Sequence, residues 1–210
     1  MKINADRVVP KKYFSNRLKN LVDCELLILN EYIQDGDKIL DIGSETGRIG
    51  FLITDALNKI PSELFLTEIN DDYVKQLRLN IKPDDKSRYN VKVLKENMMS
   101  FSDNIEDNYF DCITSLGDVF NLHEHPNPSS VRSSVVFDAI TRSIKKLKIG
   151  GRAIFSLNLE IIDGLDEENI KDKLFNIGLK ILKMDKVNFP PNQAWLAKCR
   201  YIFCAERISQ

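Results

Sequence analysis

A chain of 210 residues with 30 Lys and Arg against 31 Asp and Glu is long enough to bury a full core and short enough for one domain, predicted here as a single unit over 1–210. Its net charge of -1 and pI near 6.2 give no general attraction to polyanions, so stable nucleic-acid binding is disfavoured. No stretch nears the length needed to span a bilayer and Met1 to Arg7 lacks the apolar core of a signal peptide, which predicts a cytoplasmic protein.

Residues 14–34 carry a helical pattern, with Leu18, Leu21, Val22, Leu26, Leu27, Leu29 and Ile33 on one face and Asp35-Gly36-Asp37 ending it. Residues 1–35 thus read as an N-terminal helical segment, placed to cap a substrate. Its local basicity, through Lys2, Arg7, Lys11, Lys12, Arg17 and Lys19, suits a solvated helix face.

A first strand is predicted over 38–42 and a helix over 47–59. Pro61 breaks the chain before a second strand at 63–68. A helix at 71–80 precedes the polar segment 82–87, read as a loop. Strands at 91–94 and 109–115 follow, then a long loop from Leu116 to Pro128 and a helix over about 130–147. The turn Lys148-Ile149-Gly150-Gly151 delivers a fifth strand at 153–157, and a helix near 166–177 leads to two β patterns at 179–188 and 198–207. Alternating strands and helices imply an α/β fold with a mostly parallel sheet and helices on both faces. The short connection between the last two strands makes them antiparallel neighbours and places a reversed strand at one end of the sheet. The cysteines Cys24, Cys112, Cys199 and Cys204 show no C-x-x-C spacing, which predicts buried free thiols and no metal site.

The run Lys38-Ile39-Leu40-Asp41-Ile42-Gly43-Ser44-Glu45-Thr46-Gly47 is the most informative segment. A strand that breaks into a glycine-bearing turn and then a helix brings backbone N–H groups and a helix start to a ligand. Glu68 ends the next strand, where doubly wound sheets place a carboxylate against a ribose.

In order, these segments resemble the class I S-adenosylmethionine-dependent methyltransferases over nearly the whole chain from about residue 12. Asp41 to Gly47 is similar to the acidic-x-Gly-x-Gly-x-Gly first motif, and Glu68 matches the carboxylate that grips the ribose hydroxyls. Glu96-Asn97-Met98-Met99-Ser100-Phe101 is similar to the third motif, which meets adenine. Tyr109 to Ser115 resembles the fourth, and Leu147-Lys148-Ile149-Gly150-Gly151-Arg152 resembles the Leu-Lys-Pro-Gly-Gly turn. The resemblance implies a Rossmann-like sheet of seven strands whose last strand is reversed. It also implies S-adenosylmethionine as cofactor, S-adenosylhomocysteine as product, and cofactor contacts from Asp41, Gly43, Ser44, Gly47, Glu68, Ile69, Asn97, Met98 and Gly117. One departure stands out: Glu45 replaces the middle glycine of the first motif. The same residue removes the first glycine of G-x-G-x-x-G and argues against a nicotinamide site.

In that superfamily the acceptor sits above the end of the fourth strand, which here leads into the loop holding both histidines of the chain. His123 and His125 are the candidate catalytic bases, because imidazole accepts a proton near neutral pH. The segment Ser115-Leu116-Gly117-Asp118 is not the Pro-Pro-Tyr type used on base amines, and no Pro-Cys nucleophile is present. The loop is instead similar to small-molecule N-methyltransferases, which implies transfer to a nitrogen or oxygen of a small acceptor. Tyr13, Phe14 and the segment Phe189 to Trp195 are candidate pocket walls. Two other readings stay open: a catalytically silent binding protein with Glu45 as its lesion, and an RNA or protein methyltransferase.

Overall fold

The computed structural model describes residues 16–101, 105–116, 131–188 and 199–208. Helix α1 (Asn16–Tyr32) precedes β1 (Lys38–Ile42) and α2 (Arg48–Phe51), whose last turn widens into a π-turn over Leu52–Ala56. Then come β2 (Glu63–Glu68), α3 (Asp71–Asn80), α4 (Pro83–Arg88), β3 (Asn90–Lys95) and β4 (Phe110–Ser115). The remaining elements are β5 (Val131–Arg132), α5 (Ser133–Ile144), β6 (Leu147–Leu157), β7 (Ile162–Asp163), α6 (Ile170–Asn176), β8 (Leu179–Asn188) and β9 (Cys199–Arg207).

Seven strands form one sheet in the order β3-β2-β1-β4-β6-β9-β8, and β5 pairs with β7 apart from it. The strands from β3 to β6 run parallel, and β9 runs antiparallel to both β6 and β8. The strand order reverses between β1 and β4, and such a switch point opens a crevice at the carboxyl ends of the strands.

Side-chain alternation divides the core. Leu40, Phe155 and Phe203 face α5 and α6, packing with Val136, Ile140, Ile170 and Leu174. Ile39, Ile154 and Ile202 face the other way, against Ile28 and Leu29 of α1, Ile49 and Phe51 of α2, and Leu77 of α3. Both faces are covered, as a parallel sheet requires.

Four expectations change. The reversed strand is not at the sheet's end: β9 lies one position in, using backbone groups on both edges, and β8 takes the edge. The segment read as a polar loop at 82–87 is helix α4. Pro83 opens it with φ already helical, and the Lys82 N–H donates to Asp85 Oδ2 at 2.7 Å. The helix expected to reach residue 59 stops at Ala56. There Thr54 Oγ1 donates back to the Gly50 carbonyl at 3.2 Å and Asn58 turns left-handed at φ 54°. The expected turn at 148–151 is absorbed into β6 as an irregularity in its pairing with β4, with Gly150 at φ 81°. The two-residue strands β5 and β7 carry too little pattern to be read from sequence.

The four cysteines are free. Cys112, Cys199 and Cys204 are buried and Cys24 is half-buried. Among the described residues no helix is long and apolar enough to cross a membrane.

Candidate functional site

The crevice is built on the turn after β1. Gly43 at φ 68°, Glu45 at φ 49° and Gly47 at φ 95° all adopt left-handed backbone conformations, so the chain doubles back within five residues of the strand. The Ser44 N–H donates to the Thr67 carbonyl at 2.9 Å and the Gly47 N–H to the Ser44 carbonyl at 2.7 Å. The Ser44 and Thr67 hydroxyls both donate to the Asp41 carbonyl at 3.0 Å. The turn is therefore tied to β2 as well as β1.

Glu68 is the centre of that tie. Its Oε2 accepts the Glu45 N–H at 2.9 Å, and its Oε1 accepts the Ile69 and Asn70 N–H groups at 2.8 and 2.9 Å. A carboxylate has about four acceptor positions, so one remains on Oε2 for a ligand hydroxyl. The neighbouring Ile69 is 48% exposed, an apolar surface at the crevice lip that α3 and β3 leave uncovered.

Asp41 lies beneath the turn and is buried. Its Oδ1 accepts from Thr114 Oγ1 at 2.7 Å, while Oδ2 has no hydrogen-bond partner among the described residues. Burial pushes its carboxyl up to about 6, against the Thr114 bond and the Arg48 charge, which pull it down. An orphaned buried oxygen here matches a site shaped for a polar or cationic ligand.

After β3, the Asn97 Oδ1 accepts the Met99 N–H at 2.9 Å and the Asn97 carbonyl accepts the Ser100 N–H at 2.9 Å. Asn97 thus shapes the turn that presents it, an Asx-turn role the sequence reading did not anticipate. Met98 is buried against the α5 side of the sheet.

Arg48, the first residue of α2, was not singled out from sequence. Its guanidinium pairs with Glu25 of α1 through both nitrogens, Nη1 to Oε2 and Nη2 to Oε1 at 3.1 Å, and Nη2 also donates to the Leu116 carbonyl at 3.1 Å. Three parts of the crevice wall meet on one side chain: the N-terminal helix, the glycine turn and the end of β4. Glu25 is fully buried. Removing one partner of such a pair strands the other's charge. Arg48→Met should therefore lower stability in urea unfolding by about 3 kcal/mol, and Glu25→Leu with Arg48→Met should recover most of that. A double variant less stable than the single one would contradict this account.

The structure brings Asp41, Gly43, Ser44, Gly47, Glu68 and Ile69 together at the carboxyl end of β1 and β2, with Asn97 and Met98 following the adjacent β3. Gly117, His123, His125, Tyr13, Phe14 and Phe189 to Trp195 lie outside the described residues.

The strand order and the reversed β9 together define a fold. The fold is that of the class I S-adenosylmethionine-dependent methyltransferases. The chain is similar to an S-adenosylmethionine-dependent methyltransferase from Aquifex aeolicus at 15% identity, covering 94% of this chain and 96% of that one with a TM-score of 0.64. It is similar to the N-methyltransferase NodS from Bradyrhizobium japonicum at 14% identity, with 91% and 97% covered and a TM-score of 0.62. A chain from the complex between the Haloferax volcanii Trm112 methyltransferase activator and a methyltransferase matches at 12% identity, with 90% of each chain covered and a TM-score of 0.64. No family model matches the sequence, and no curated protein does.

Proposed function

We propose that this chain binds S-adenosylmethionine in the crevice and transfers its methyl group to a nitrogen or oxygen of a small acceptor. The observation that carries this reading is Glu68. It is a buried carboxylate at the end of β2 that holds the β1 turn by the Glu45 N–H and keeps an acceptor position for a ribose hydroxyl. The orphaned Asp41 Oδ2 and the left-handed turn at Gly43 and Gly47 fit the same group.

When bound, the cofactor supplies a methyl on a sulfonium, ready for in-line displacement. The chain's own work is then positioning and exclusion of water. Gly43 and Ser44 would hold the methionine part through backbone, Glu68 would orient the ribose, and Ile69, Met98 and Asn97 would frame the base. Arg48 holds the Leu116 carbonyl at the end of β4, and Gly117, the next residue in the sequence, is proposed as a cofactor contact. His123 or His125 takes the acceptor's proton as the new bond forms. The similarity to a Bradyrhizobium N-methyltransferase supports nitrogen as one acceptor atom. The near-neutral net charge supports a small acceptor over a polyanion.

Turnover tests this reading. Release of S-adenosylhomocysteine is expected with at least one member of a panel of small amines and hydroxyl compounds. Alanine at the working histidine should slow it by about a hundredfold or more. Undiminished turnover in both His123→Ala and His125→Ala would remove the base assignment. Turnover on RNA or protein alone would overturn the small acceptor.

A further inference from the structure

Where the glycine-rich motif that this turn resembles has its middle glycine, this chain carries Glu45, and the turn still forms. Glu45 adopts φ 49° with its N–H on Glu68 and its side chain exposed at the crevice. Its N–H is held at 2.9 Å by the carboxylate assigned to the ribose, so its exposed side chain starts beside that part of the site. In S-adenosylmethionine the sulfur is bonded to the carbon that the ribose carries.

Negative charge is in excess here. Arg48 pairs with Glu25 and its charge also acts on Asp41 and Glu45, but Asp41, Glu45 and Glu68 enter no ion pair among the described residues. Asp41 adds a buried oxygen with no hydrogen-bond partner directly beneath the turn. Burial drives the upward shift of the Asp41 carboxyl, and the Glu45 charge adds to it, so the two groups feel each other across the turn.

We infer that Glu45 is a specificity-determining residue that makes the crevice favour the cationic S-adenosylmethionine over its neutral product, S-adenosylhomocysteine. The inference rests on the cofactor reading given above. Both molecules carry the same ammonium and carboxylate on the methionine part, so whatever Glu45 does to that zwitterion cancels in the ratio of their affinities. The sulfonium charge does not cancel. A partly screened carboxylate several ångströms from a unit positive charge changes the ratio by about three- to tenfold. The consequence is weaker product inhibition, since the neutral product gains nothing from the same carboxylate.

The test is the ratio of the two dissociation constants, measured by calorimetry on the full chain for wild type, Glu45→Gln and Glu45→Gly. Asp84→Asn serves as the control, because α4 leads into the amino end of β3, the opposite end of the strands from the crevice. Both Glu45 variants should lose preference for S-adenosylmethionine by about three- to tenfold, and the difference should shrink between about 20 mM and about 500 mM salt. A merely structural role would weaken both ligands together and leave the ratio unmoved. Two bound ligands with an unchanged ratio would overturn this inference alone. Binding of neither ligand by wild type would overturn the cofactor reading and this inference with it.

Discussion

Glu68→Gln is expected to weaken S-adenosylhomocysteine binding by about a hundredfold and to lower the melting temperature as well. The side chain faces three N–H donors, from Glu45, Ile69 and Asn70, and the amide can present only one oxygen to them. Turned either way, its NH2 opposes a backbone N–H. A hydrogen bond to a charged group contributes about 1.5–3 kcal/mol, so losing the Glu45 contact together with the ligand hydroxyl accounts for the hundredfold. The stability loss follows because the same contact closes the β1 turn onto β2. Calorimetric titration and a thermal melt check the two parts separately. Affinity within about threefold of wild type would show that Glu68 shapes the turn without touching ligand.

The second large effect is at Gly47. It opens α2 at φ 95° and ψ 18°, and a Cβ there would lie 2.4 Å from Phe51 Cε2 and 2.7 Å from Leu77 Cδ1. Both neighbours are fully buried and have nowhere to move. Left-handed backbone costs an alanine about 1–2 kcal/mol and overpacking about 1–3 more, so Gly47→Ala should lose about 3–4 kcal/mol and about 10 °C in melting temperature. Gly36 supplies the comparison. It has φ 84° with nothing within 4 Å of its Cβ position, so Gly36→Ala should pay only the backbone part, about 1–2 kcal/mol. Equal losses at the two sites would contradict the packing argument.

Much of this was legible in the sequence, for reasons that differ along the chain. Strands β1 and β2 fall where short apolar runs are bounded by Asp35-Gly36-Asp37 and by Pro61, and α3 starts where Asn70 caps the Asp72 and Tyr73 N–H groups. Local chemistry decides those boundaries, so local reading finds them. Helix α4 was missed because its residues are polar throughout, although Pro83 followed by Asp84 and Asp85 is a helix-start signal. The place of β9 between β6 and β8 depends on which edges remain open after the sheet assembles, and no local pattern carries that.

The site divides in the same way. The glycine turn and Glu68 announce themselves by spacing. The Glu25–Arg48 pair joins residues 23 positions apart and is set by how α1 docks. A signal was present all the same. Glu25 falls at i+4 from Leu21 and i−3 from Ile28 on the apolar face of α1, and Arg48 leads an apolar run into the core. Two opposite charges on two buried faces require each other.

The central claim is that the crevice between the β1 turn and Glu68 is a site for S-adenosylmethionine. Calorimetric titration of the full chain with S-adenosylmethionine, S-adenosylhomocysteine and NAD tests it most directly. The account predicts micromolar binding of the first two, lost in Glu68→Gln, and no binding of NAD. Binding of NAD in place of the sulfur ligands, or no heat from either sulfur ligand at high concentration, would contradict it.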